Sequence, residues 1–135
     1  MLSSDGCSPR GTAGASVSRC FGHRGSQVAV RVVVTDAREI DAEWRLFVVE
    51  GKVVSGSMYR PSAERSVPPE AIQFAERAAS RWAPAPVFVM DVARVDRTWK
   101  IVECNCFNGS RFYESNVDAI VAAVSQYQAK RHESC

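Results

Sequence analysis

Apolar and polar residues alternate in short, strand-length blocks from residue 28 onward, broken twice by patterns of helical period. Residues 28–35 are rich in β-branched side chains and predict a strand. A polar connection over residues 36–41 follows. Residues 43–50 and 52–59 then predict two strands joined by a turn at Gly51. In the first of these, Trp44, Leu46 and Val48 share one face, and Arg45, Phe47 and Val49 share the other. Pro68-Pro69-Glu70 opens a helix, because proline suits the first turn and an acid there meets the helix dipole. Ile72, Ala75, Ala79 and Trp82 recur at core spacing, and the helix must stop before Pro84 and Pro86. Two further apolar runs, 87–93 and 99–106, flank Asp96-Arg97-Thr98 and predict a hairpin with a three-residue loop. Ser115-x-x-Asp118 resembles a capping box for a last helix, with Val117, Ile120, Val121, Val124 and Tyr127 as its buried stripe. The order β-β-β-α-β-β-α predicts an α+β fold: a mostly antiparallel sheet with both helices packed on one face. The other face would carry Arg45, Asp91, Glu103 and Asn105.

Residues 1–27 differ in kind. They are rich in Ser, Gly, Arg and Cys and poor in aliphatic residues, so they are expected to be a disordered or unrelated leader. Gly22-His23-Arg24-Gly25-Ser26 lacks the Gly-Lys-Ser/Thr ending of a phosphate-binding loop. Residues 28–129 form the expected domain, and residues 130–135 a fraying tail.

Composition narrows the function classes. The chain has 135 residues, 46% hydrophobic and 24% charged, as in an ordinary globular domain. No apolar stretch approaches the ~18 residues of a membrane span. A net charge of +2 with interspersed signs argues against nucleic acid as a partner. Five cysteines, an odd count, and no signal-peptide pattern point to a reduced, cytoplasmic protein in which Cys104 and Cys106 are small buried hydrophobes. A zinc site from Cys104, Cys106, His132 and Cys135 is disfavoured, since Cys-x-Cys within a strand lacks knuckle spacing.

The chemistry concentrates at the end of the last apolar run. Strand alternation puts Val102, Cys104 and Cys106 on one face and Ile101, Glu103 and Asn105 on the other. A carboxylate and an amide carbonyl side by side are donors that hard cations such as Mg²⁺ take. With a three-residue loop, Val95 pairs with Trp99 and Asp91 falls opposite Glu103, with Cβ atoms about 5 Å apart. Two carboxylates that close need a cation or a proton between them. Asp91, Glu103 and Asn105 are therefore a candidate metal triad. The alternative is that Asp91 marks a solvated strand face and Glu103 and Asn105 are rim residues. Arg45 and Arg60 could neutralise phosphate oxygens through their planar donor forks, or could simply cover strand edges with their stems.

An Asp within an apolar strand, a short hairpin, then Glu-x-Asn at the end of the next strand resembles the Mg²⁺-ATP site of ATP-grasp proteins. The similarity is greater to a bacterial group of ATP-grasp domain proteins of poorly defined substrate. Three motifs in the family's order carry it: residues 43–49 (Glu-Trp-Arg-Leu-Phe-Val-Val), Ser57-Met58-Tyr59-Arg60, and residues 102–108 ending at Asn108. The resemblance covers about residues 33–127. It implies the C-terminal lobe of the ATP-grasp fold, with ATP and Mg²⁺ as cofactors. It also implies that Asp91, Glu103 and Asn105 are metal ligands, Arg45 and Arg60 are the paired catalytic arginines, and Asn108 is a nucleotide contact.

In that family ATP lies between two lobes, and the preceding lobe supplies phosphate-binding lysines and most of the adenine pocket. Nothing upstream here has the length or apolar content for such a lobe, so a partner lobe or self-association is expected to complete the site. Two functions are consistent with these features. One is an ATP-dependent carboxylate–amine or carboxylate–thiol ligase acting through an acyl phosphate on a small-molecule substrate. The other is a non-catalytic remnant that keeps the fold as an interaction module.

Overall fold

The computed structural model describes residues 36–60 and 66–133, with Arg60 described by its backbone alone. The expected strand over 28–35, the leader over 1–27 and the end of the tail lie outside the described residues. Within them the elements are β1 (Ala42–Val49), β2 (Lys52–Arg60), α1 (Pro69–Arg81), β3 (Val87–Val95), β4 (Thr98–Cys106), a 3-10 turn at Phe107–Gly109, and α2 (Val117–Glu133). The four strands form one antiparallel sheet in the order β2-β1-β3-β4. The α+β architecture and the antiparallel sheet are those expected from the sequence.

Both hairpins turn on two residues, not three. Glu50 (φ 49°) with Gly51 (φ 78°), and Asp96 (φ 49°) with Arg97 (φ 60°), are left-handed pairs. Such pairs match the twist of the flanking strands. The second turn pairs Val95 with Thr98 instead of Trp99, which by itself would shift every β4 side chain by one residue. A bulge intervenes: Val92 pairs with Ile101 and Asp91 with Glu103, leaving Val102 as the extra residue. The two departures cancel, so the expected Asp91–Glu103 pairing holds although its loop length does not. The bulge also reverses the expected face of Ile101. It falls opposite Val92, on the Trp44 face, and the preceding Trp99 packs on Trp44 with centroids 5.5 Å apart.

The helices cover opposite faces of the sheet, which corrects the expectation of a single covered face. Ala75 and Ala79 of α1 pack with Trp44, Leu46, Val48, Phe88, Met90 and Val92. Ile120 of α2 packs with Phe47 and Val89, joined by Phe107, Phe112 and Val124. Strand alternation puts these two sets on opposite sides. The reason lies in the central strands: all eight residues of β1 are buried. A strand apolar on both sides needs cover on both sides.

The helices keep their expected positions with altered faces. Pro69 occupies the first turn of α1, and the chain leaves the helix at Trp82, ahead of Pro84. The buried stripe is Ala71, Ala75 and Ala79, an i, i+4 row of small side chains, while Trp82 lies beyond the helix end and is 64% exposed. In α2 only Ile120 is buried, and Val117 and Val121 are exposed. Its cap is Asn116, whose Oδ1 accepts the Ala119 N–H at 3.0 Å; Ser115 instead bonds Ser57 on β2. Since β4 is an edge strand among the described residues, Cys104 is half-buried and Cys106 exposed, against the expectation that both are buried.

Candidate functional site

One cross-strand row collects the chemistry. Ser57 pairs with Arg45, Arg45 with Asp91, and Asp91 with Glu103, a row spanning all four strands on one sheet face. Asn105 follows in the next row of that face, opposite Val89, and its Nδ2 donates to Glu103 Oε1 at 2.7 Å. The predicted convergence of Asp91, Glu103 and Asn105 is therefore present.

Asp91 is completely buried, which removes the alternative of a solvated strand face. Arg45 reaches across to it with a planar fork: Nε donates to Oδ1 at 2.9 Å and Nη2 to Oδ2 at 2.6 Å. Nη2 also lies 3.8 Å from Glu103 Oε1. The cation that two opposed carboxylates require is thus, in this structure, the Arg45 guanidinium. The bond to Asp91 holds Arg45 protonated, well above its ordinary range. Burial pushes the Asp91 carboxyl above its usual range; Arg45 opposes this, and neighbouring Glu103 adds to it. Burial likewise raises the Cys104 thiol, with the charges of Asp91 and Glu103 contributing.

Two tyrosines complete the surroundings of Arg45. Its guanidinium carbon lies 4.8 Å from the centroid of Tyr59 and 5.4 Å from that of Tyr113, and the two rings meet edge to face at 5.5 Å. The sequence alone assigns neither a role. Tyr59 lies within the Ser57–Arg60 motif, and a bulge brings it to this face: Met58 pairs with Trp44 and Arg60 with Glu43, so Tyr59 is the extra residue. Tyr113 comes from the loop before α2, where no periodicity marks it.

Arg60 ends β2 opposite Glu43. Asn108 is exposed in the 3-10 turn just beyond β4. A groove of about 400 Å³ follows β2, lined among others by Ser55, Ser57, Val67 and Glu114. It touches the charged row only at Ser57. Among the described residues, no three His, Cys, Asp or Glu side chains cluster as a metal site, so any cation here must draw on the amide of Asn105 beside the two carboxylates. No helix among them is long and apolar enough to cross a membrane.

A family model described as an ATP-grasp domain, the third family of its clade, matches residues 10–124. No curated protein and no solved structure matches the chain.

Proposed function

Since the chain belongs to the ATP-grasp family, we propose that it binds ATP with Mg²⁺ and serves a ligase that activates a small-molecule carboxylate for attack by an amine or thiol. The observation supporting this reading is the row of Arg45, Asp91 and Glu103 on three adjacent strands. Its donors fit a hard cation. Glu103 is exposed, Asn105 is beside it, and a carboxylate offers about four lone-pair sites, so Asp91 retains acceptor capacity beyond its two bonds to Arg45. Asp91, Glu103 and Asn105 would hold Mg²⁺, which would offset the negative charge of phosphate oxygens.

The chain's own groups do the remaining work in this reading. Arg45 gives Nε and Nη2 to Asp91, which leaves the donors of Nη1 for an oxyanion of phosphate or acyl phosphate. Asp91 fixes the plane of that fork, and Arg60 supplies a second cationic group at the end of β2. Asn108, on the exposed turn after β4, contacts the nucleotide. A complementary lobe, or a second copy of the chain, closes over the nucleotide from the other side.

The test is ADP release with Mg²⁺, ATP and a panel of carboxylates, in the presence of the complementary lobe. Glu103→Gln keeps shape and an oxygen donor but removes charge. It should slow turnover on the order of a hundredfold, a few kcal/mol of transition-state stabilisation, while leaving thermal stability near wild type. Unchanged turnover would remove Glu103 from the chemistry. Absence of both turnover and ATP binding in the wild type would favour the interaction module.

A further inference from the structure

Tyr113 occupies a backbone conformation that its side chain disfavours. Its φ is 49°, in the left-handed region, at the first central position of a turn closed by the Ser115 N–H on the Phe112 carbonyl at 2.9 Å. Glycine is the usual residue there, and a bulky side chain persists in that region only when the surroundings hold it. The surroundings do hold it. Ser115 Oγ donates to Ser57 Oγ at 3.1 Å, in the same row as Arg45, and the Asn116 N–H donates to Ser55 Oγ at 2.8 Å. Phe112, just before the turn, stacks on Phe47 at 5.4 Å. The turn is thus fastened to β1 and β2 on both sides of Tyr113.

The product of this fastening is the ring position. Tyr113 is 47% exposed and Tyr59 39% exposed, so neither ring is held there by burial alone. Each instead lies within cation–π distance of Arg45. We propose that Tyr113 and Tyr59 are positioning residues for Arg45: the two rings form an aromatic corner that keeps the guanidinium locked on Asp91 with Nη1 facing outward. The strained turn at Tyr113 is retained because it delivers that ring. The corner itself is independent of any ligand; its value for binding phosphate oxygens rests on the ATP-grasp reading.

The experiment separates the two. In ¹⁵N-labelled full-length protein without ligand, the Arg45 Nε–H should give a slowly exchanging signal displaced by the ring currents, assigned by its loss in Arg45→Lys. Tyr113→Ala and Tyr113→Gly should both move that signal toward the ordinary arginine position and speed its exchange, whereas Tyr113→Phe should preserve it. Tyr59→Leu should act as Tyr113→Ala does. Tyr113→Gly should unfold at a higher temperature than Tyr113→Ala, because glycine accepts the left-handed backbone. A merely structural tyrosine would not combine a more stable glycine variant with a released arginine. With Mg-ATP as probe, loss of one ring should weaken binding about fivefold, the scale of one cation–π contact, with rescue in Tyr113→Phe. An Arg45 signal unchanged in both Tyr113→Ala and Tyr113→Gly would overturn the proposal. A signal that moves as expected, in a protein that does not bind Mg-ATP, would uphold the positioning pair and refute the ATP reading alone.

Discussion

At the residue scale the deciding group is Asp91, a carboxylate with no solvent exposure on the central strand β3. Burying it is tolerable because Arg45 binds both oxygens, and removing one partner of such a pair leaves an uncompensated charge. The sign of the pH dependence follows from its raised carboxyl. The folded state holds the Asp91 proton more tightly than the unfolded state, whose value is near 3.8. Asp91's contribution to stability is therefore complete below that value and is lost as pH rises through the folded one. Arg45 limits the loss. Arg45→Met should thus be close to wild type near pH ~3.5 and about 3 kcal/mol less stable near pH ~7. Denaturant titrations of both proteins at the two pH values measure this. An equal deficit at both would mean that no Asp91 proton is linked to folding.

At the element scale the strands show which parts of the sequence are legible and which are not. The alternation that places Arg45, Glu103 and Asn105 on one face is a short-range property and survives. The loop of the β3–β4 hairpin is shorter than its residues suggest, because Asp96 and Arg97 adopt positive φ without the glycine that usually announces it. The bulge at Val102 has no sequence mark either; it is set by the need to keep Glu103 opposite Asp91 while Trp99 packs on Trp44. Tyr113 is illegible for the same reason, since nothing in Phe112-Tyr113-Glu114-Ser115 announces a left-handed tyrosine. Gly56 on β2 shows a requirement of packing, not of turning. A Cβ there would lie 2.6 Å from Leu46 Cδ2 and 3.0 Å from the Arg45 carbonyl oxygen. Leu46 is wholly buried and cannot swing aside. Gly56→Ala should therefore cost about 1–3 kcal/mol by overpacking, read as a fall in the thermal midpoint. An unchanged midpoint would show that β1 and β2 separate freely beside the arginine.

At the scale of the whole domain, the sheet is covered on both faces, and the functional row shares its face with α2. Expecting both helices on one side neglects that β1 and β3 are apolar on both faces across their centres; Phe47 and Val89 are as informative as Trp44 and Leu46. The consequence for function is placement. α2 and the aromatic cluster of Phe47, Phe107 and Phe112 fill that face beside the Arg45–Asp91–Glu103 row, and the exposed end of the row at Glu103 lies on the edge strand β4. A nucleotide would therefore meet the row from the β4 side. The measurement that tests this most directly is calorimetric titration of the full chain with ATP, with Mg²⁺ present and with Mg²⁺ chelated, for wild type and Glu103→Gln. The account predicts binding that requires Mg²⁺ and weakens at least tenfold in Glu103→Gln, a loss of about 1.4 kcal/mol, with unfolding midpoints unchanged. Binding of equal strength in all four titrations would contradict it.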